Sequence, residues 1–458
     1  MKKTTYRTAP FSSSKLPSGI PFIVGNEAAE RFSYYGMRAI LVVFMTQHLL
    51  DSTGAPDLMS EEEAKSYYHL FSSAVYFFPV LGAIIADAFW GKYRTIIVLS
   101  SLYCLGHFFL AIDDTRMGLL LGLSLIALGS GGIKPCVSAH VGDQFGKTNS
   151  HLLEKIFSWF YFSINLGAFA SSLLTPWLLA NHGPSWAFAV PGFFMLIATL
   201  LFWMGRHRFV HIPPGGAAFL KETFSSEGIW SLLKLFLIYI FVAVFWSLFD
   251  QTGSSWVLQA EKMDRHLFGI RWLSSQIQAL NPVLVMLFIP LFSYGVYPLL
   301  NKFFNLTPLR KICIGFFIAV PAFLIPAWVE NQIAMGETPN IAWQLLSYVF
   351  LTAAEVMVSI TCIEFSYTQA PKKMKSFVMA GFMLSVSLGN IFTALVNLVI
   401  QNKDGSSRLV GAEYFLFFAG AMLLAAVIFI PVAMVYQEKY FIQDEREDGF
   451  IGEIEAEF

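Results

Sequence analysis

The chain has 458 residues, of which 56% are hydrophobic, 16% aromatic and 13% charged, with a formal net charge of −1. A charged fraction about half that of an ordinary soluble domain excludes a water-soluble fold, and the near-neutral balance speaks against nucleic-acid partners. Apolar stretches of about twenty residues, each able to cross a hydrocarbon layer about 30 Å thick, recur along the chain, so an all-α polytopic membrane protein is expected.

In chain order, the N-terminal tail, residues 1–20, carries Lys2, Lys3, Arg7 and Lys15. Pro10, Ser12, Ser13, Ser14 and Pro17 break it before any apolar core, so it does not read as a cleavable signal peptide. Hydropathy and the Gly, Pro and charge punctuation predict helices near 21–50, 66–86, 95–112, 117–141, 153–180 and 186–204, a first bundle over 21–204. The polar stretch 205–228, with "RHRFVHIPPGGAAFLKETFSSEG", predicts a linker. A second bundle over 229–436 follows, with helices near 229–257, 273–300, 310–329, 341–369, 377–400 and 412–436, then a tail over 437–458. The expectation is about 12 transmembrane helices in two six-helix bundles.

Loop charge orients the spans. The N-terminal tail, Lys92 with Arg94, Lys147 with Lys155, Arg206 with Arg208, Arg310 with Lys311, and Lys372, Lys373 and Lys375 share one side if the spans alternate. By the positive-inside rule that side is the cytoplasm, and both tails are expected there. The opposite loops carry Asp51, Asp57, Glu61, Glu62, Glu63, Asp113, Asp114, Glu330 and Glu337, although Lys262, Arg265 and Arg271 run against the trend. Cys104, Cys136, Cys313 and Cys362 are scattered through apolar segments without metal-site or disulfide spacing, and read as small core residues.

Two bundles around a polar linker resemble the major facilitator superfamily. The turn "GAIIADAFWGKYRT", Gly82 to Thr95, is similar to that superfamily's loop signature, with an acid at Asp87, a glycine at Gly91 and bases at Lys92 and Arg94. Glycines there permit close helix packing, and Asp87 offers a partner to a base or a helix end.

The first helix contains "NEAAERFSYYGMR", in which Glu27, Glu30, Arg31, Tyr34 and Arg38 share one helical face. Ionisable groups facing lipid are costly, so the stripe predicts a protein-lined or water-filled pathway. Further charges fall inside apolar segments: Lys134 in "GSGGIKPC", Asp250 in "FWSLFDQTGSSW", Glu355 in "YVFLTAAEVMVSI" and Glu364 nearer the cytoplasmic end. Asn165 and Asn281 lie at comparable depth, the latter before Pro282. A buried ion pair that served assembly alone could be exchanged for apolar residues at little cost. Charges on four helices therefore point to function.

These residues match a known pattern. "EAAERFSYYG", Glu27 to Gly36, resembles the E-x-x-E-R-F-x-Y-Y-G signature of the proton-dependent oligopeptide transporters, a branch of the major facilitator superfamily. "FSWFYFSINLGAF" resembles the family's fifth-helix motif, and "FWSLFDQTGSSWVLQA" with "EVMVSITCIEFSYTQAP" look like its animal-type members. The resemblance covers nearly the whole chain. It implies a proton-coupled symporter that imports di- and tripeptides by alternating access, not an enzyme.

The resemblance also implies residue roles. Proton coupling falls to Glu27, Glu30, Arg31, Lys134, Asp250 and His69, with Lys134 paired to a first-helix glutamate and Asp250 paired to Arg38. Arg38 and Lys134 are expected to meet the peptide carboxylate and Glu355 its ammonium, while Tyr34, Tyr35, Tyr76, Tyr161, Asn165, Trp246, Asn281 and Ser359 line the pocket. His69, read as a helix-end histidine, titrates near neutrality in water and could respond to external pH. Fixing both ends of a zwitterion while ignoring its side chains predicts broad specificity.

No cofactor or metal is expected, the proton gradient supplying the energy. The expected partners are peptides, protons and the lipid bilayer, the expected location a bacterial inner membrane, and the expected functional unit a monomer. Two appendages found in relatives are missing here: 205–228 is too short for an extra helix pair, and only a short loop lies between Val329 and Ile341. An anion transporter, a membrane enzyme and a nutrient receptor are the rival readings. Glu355 suits the first poorly, and no nucleophile–base pair, H-E-x-x-H or phosphate loop favours the second.

Overall fold

A computed structural model describes residues 6–10, 12–216, 226–369, 375–402 and 407–436. The first bundle contains α1 (Ile20–Gln47), α2 (Glu61–Ile84), α3 (Lys92–Ile112), α4 (Arg116–Asp143), α5 (Leu153–His182) and α6 (Pro184–Gly205). The seventh span comprises α7 (Ser226–Phe249) and α8 (Ser255–Glu261), followed by a hairpin of β1 (His266–Leu267) and β2 (Ile270–Arg271). The eighth comprises α9 (Leu280–Leu291) and α10 (Tyr297–Asn301), the ninth α11 (Pro308–Ala319) and α12 (Pro321–Ala334), and the tenth α13 (Ala342–Glu355) and α14 (Thr361–Gln369). The last two are α15 (Lys375–Ile400) and α16 (Ala412–Val435).

Eleven described spans are long and apolar enough to cross a bilayer. The twelfth, α1, has 28 residues but carries Glu27, Glu30, Arg31 and Arg38. The protein is a multi-pass helical membrane protein. One apolar core runs through α1 to α6 and takes in Val257 and Leu258 of α8, and a second runs through the later spans. Part of the expected linker, residues 217–225, and the C-terminal tail lie outside the described residues, as do Lys372 and Lys373.

Helix ends follow local chemistry. α2 starts at Glu61, ahead of the expected 66, because the Ser60 side chain accepts from the Glu63 N–H at 3.1 Å and three acids fill the positive first turn. Thr115 caps α4 in the same way at the Gly118 N–H. α2 and α4 pack almost backbone to backbone: a Cβ on Gly82 would stand 2.4 Å from the Gly132 Cα. The "ADAFWGKYR" turn forms there, but Lys92 pairs with Asp143 at 2.7 Å. The main-chain carbonyl of Asp87 accepts from Gly215.

Several spans expected as single helices are interrupted. The ninth breaks before Pro321, which lacks the N–H that would continue the ladder. The eighth and tenth each contain a wide π turn, Phe292–Val296 and Val356–Ile360, so Glu355 ends a regular helix instead of lying well inside one. The seventh tightens into a 3-10 turn at Asp250–Gly253, where Ser and Gly weaken the helix. That break places polar side chains at mid-span.

Candidate functional site

The break in the seventh span meets α1. Arg38 Nη2 forms an ion pair with Asp250 Oδ1, and Arg38 Nε donates to the Tyr68 hydroxyl at 2.5 Å. Tyr68 reaches that position because Gly253 has no side chain: a Cβ there would fall 1.9 Å from the hydroxyl. Asp250 Oδ2 accepts from Asn390 Nδ2 at 2.6 Å. Asn390 Oδ1 lies 2.7 Å from His69 Nδ1. An amide oxygen only accepts, so His69 carries its proton on Nδ1, and its Nε2, 2.9 Å from Ser254 Oγ, is the acceptor when the ring is neutral.

Arg38, Asp250, His69 and Asn390 are all buried, and they come from both bundles. His69 is therefore not the helix-end residue expected from its polarity. It sits within α2, fully enclosed, and is joined to Asp250 through one amide.

Two to three turns before Arg38 on α1 lies a second charged cluster. Arg31 Nε stands 2.7 Å from Glu27 Oε1 and 3.3 Å from Glu30 Oε2. Neither oxygen of Glu30 makes a hydrogen bond among the described residues. Lys134 does not pair with these glutamates as expected. Its ammonium lies over the rings of Tyr34 at 3.8 Å and Tyr76 at 4.5 Å, without a hydrogen-bond acceptor among the described residues. Aromatic faces can hold a desolvated cation, which explains how the lysine survives away from a carboxylate.

Between the bundles lies a cavity of about 250 Å³. Its walls include Tyr35, Arg38, Tyr76, Tyr161, Asn165, Trp246, Asp250, Asn281, Glu355 and Ser359 from the expected set. Tyr34 and Lys134 are not on the wall: Tyr34 is fully buried with its ring edge against Tyr35. Glu27, Glu30, Arg31 and His69 also lie off the wall. The sequence reading missed Tyr68, Ser254, Tyr348, Gln278 and Asn390. Only Asn390 carried a signal, an amide after a glycine in an apolar span, "SLGNIF".

Glu355 sits on the far wall. Its Oε2 accepts from Asn281 Nδ2 at 2.8 Å, and among the described residues no base forms an ion pair with it. A half-buried carboxylate without a cation is costly, so a ligand ammonium would be stabilised there. The tyrosines and Trp246 supply apolar faces with polar rims. The arrangement can hold a short zwitterion between poles that belong to different bundles.

Comparison with known proteins gives a consistent picture. A sequence profile of the POT family matches residues 93–226 and 221–414. Solute carrier family 15 member 2 of Mus musculus is 37% identical over 77% of this chain and 54% of its own length. Peptide transporter family 1 of Drosophila melanogaster is 37% identical over 70% of this chain and 49% of its own. The chain thus spans about half the length of the curated relatives it matches. A crystal structure of an auto-inhibited POT family peptide transporter superposes with a TM-score of 0.84 at 37% identity, covering 93% of this chain and 99% of that one.

Proposed function

Since this chain belongs to the POT family, we propose that it is a proton-coupled symporter importing di- and tripeptides by alternating access. The observation that carries this reading is the half-buried Glu355, unpaired with any base among the described residues, on one wall of a cavity whose other wall holds Arg38. A peptide offers an ammonium to the first and a carboxylate to the second, and its side chains remain free to vary. Engaging both poles draws the bundles together. Lys134, behind the wall over Tyr76, is the reserve cation for the carboxylate.

Proton coupling follows from the shared partners. When His69 gains a proton, Nε2 changes from acceptor to donor and the ring becomes a cation one amide away from Asp250. It then competes with Arg38 for the carboxylate, and Arg38 is freed for the peptide. Glu27 and Glu30 share a single guanidinium, so a proton on either removes the excess negative charge and relaxes Arg31.

Opposing ends of the membrane are assigned by charge: the face with Arg206, Arg208, Arg310 and Lys311 is cytoplasmic. The test is uptake of di-, tri- and tetrapeptides into liposomes containing the purified protein. Di- and tripeptides are expected to enter and tetrapeptides to be excluded. Binding without flux, or chemical turnover of the peptide, would instead identify a receptor or an enzyme.

A further inference from the structure

We propose that a lateral crevice between the eighth, ninth and tenth spans binds the ammonium-phosphate headgroup of a membrane phospholipid of the ethanolamine type, Lys311 holding the phosphate and Glu364 the ammonium. Phe292 packs on Val356 and Met357. Beyond that contact the eighth span turns through its π segment into α10, and a cavity of about 520 Å³ opens. Ser293, Tyr297, Asn301, Lys311, Thr361 and Glu364 line it.

The two charges in this crevice do not meet. Lys311 Nζ stands 4.4 Å from the centre of the Tyr297 ring, and neither Lys311 nor the exposed Glu364 takes part in an ion pair among the described residues. Opposite charges near a low-dielectric surface attract strongly. Keeping both on one cavity and apart is the geometry for a ligand that carries both signs.

The apolar part of the lining selects a lipid over a soluble zwitterion. Ile289, Pro298, Leu306, Val356 and Ile360 line the same crevice as the two charges, so acyl chains can lie along it beneath the headgroup. A primary ammonium can donate hydrogen bonds to Glu364, which a choline headgroup cannot and a glycerol headgroup matches without charge. Val356 and Ile360 line both this crevice and the central cavity, so an occupant touches the turn that shapes the peptide site. The inference does not depend on transport.

The test is native mass spectrometry of the full chain in mild detergent, titrated with phosphatidylethanolamine, phosphatidylcholine or phosphatidylglycerol. Retention of one phosphatidylethanolamine, about tenfold stronger than either other lipid, is expected, as one charge-assisted contact provides. Lys311→Ala and Glu364→Gln should each weaken it about tenfold, Lys311→Arg should restore it, and Glu364→Gln should leave phosphatidylglycerol retention unchanged. Equal retention of all three lipids, or no effect of either loss-of-charge substitution, would overturn the site. Displacement of the lipid by an equal concentration of free phosphoethanolamine would overturn the lipid assignment.

Discussion

Asn390 joins His69 to Asp250 with one group on each side, its oxygen to the imidazole and its nitrogen to the carboxylate. Replacing it with Leu keeps the volume and removes both contacts. We expect Asn390→Leu to lower proton-driven uptake by about tenfold or more while peptide counterflow persists, since a hydrogen bond to a charged group contributes about 1.5–3 kcal/mol. Equal loss of both activities would make the residue merely structural. Glu355→Gln keeps the shape of the cavity wall but removes its charge, so peptides with a free amino terminus should lose affinity while N-acetylated ones change little; unchanged affinity for both would remove Glu355 from the site. Glu27→Gln or Glu30→Gln should abolish accumulation against a gradient and spare counterflow. At this scale the sequence was legible where charge was expensive. Arg38, Asp250 and Glu355 announced themselves because burial needs a reason. Lys134 was placed on the wrong partner, because aromatic rings can hold an ammonium and helix spacing does not reveal which neighbour lies across a gap.

Helix packing in the first bundle rests on missing side chains. A Cβ at Gly82 meets backbone of Gly132, which cannot move aside as a flexible side chain can. Gly82→Ala is therefore expected to cost about 1–3 kcal/mol by overpacking, read as a lower melting temperature of the purified protein. Gly142→Ala is the control: no described atom lies within 4 Å of the added methyl, so the melting temperature should hold or rise slightly. Equal melting temperatures for both variants would contradict the close α2–α4 approach. Element positions were readable from hydropathy because a bilayer demands long apolar runs. The interruptions were not: Pro321 splits the ninth span, yet the π turns at Phe292–Val296 and Val356–Ile360 lie in runs whose composition is ordinary for a helix. The seventh-span break had a readable cause in "DQTGSS", but the hydrophobicity around it hid the consequence.

Across the whole molecule, hydrogen bonds join the two bundles toward the end that carries Ser60 and Gln401. Ser73 and Ser387 meet at 2.8 Å, Gln401 reaches Ser60 at 2.9 Å, and Gln276 reaches the Leu173 carbonyl at 3.0 Å. Lys262 adds an ion pair with Glu61 at 2.9 Å, but both side chains are 42% exposed, so it contributes about 0–1 kcal/mol. The Arg38–Asp250 pair is enclosed, and losing one partner strands the other charge at a cost of about 3–5 kcal/mol. Lys262→Ala should therefore leave transport rates within about threefold of the parent. Asp250→Asn should strongly disturb opening at this end, measured by labelling a cysteine placed in the cavity from that side. Similar effects from both would mean that the surface pair holds the bundles together.

The central claim is that protons change partners among buried charges and so drive peptide movement. It is tested most directly by following a dipeptide into protein-containing liposomes under an imposed inward proton gradient. One proton supplies about 1.4 kcal/mol per pH unit and about 2.3 kcal/mol per 100 mV, which predicts internal peptide at about ten times the external concentration or more. Liposomes that exchange labelled dipeptide by counterflow yet never concentrate it, whatever the pH difference, would contradict the account.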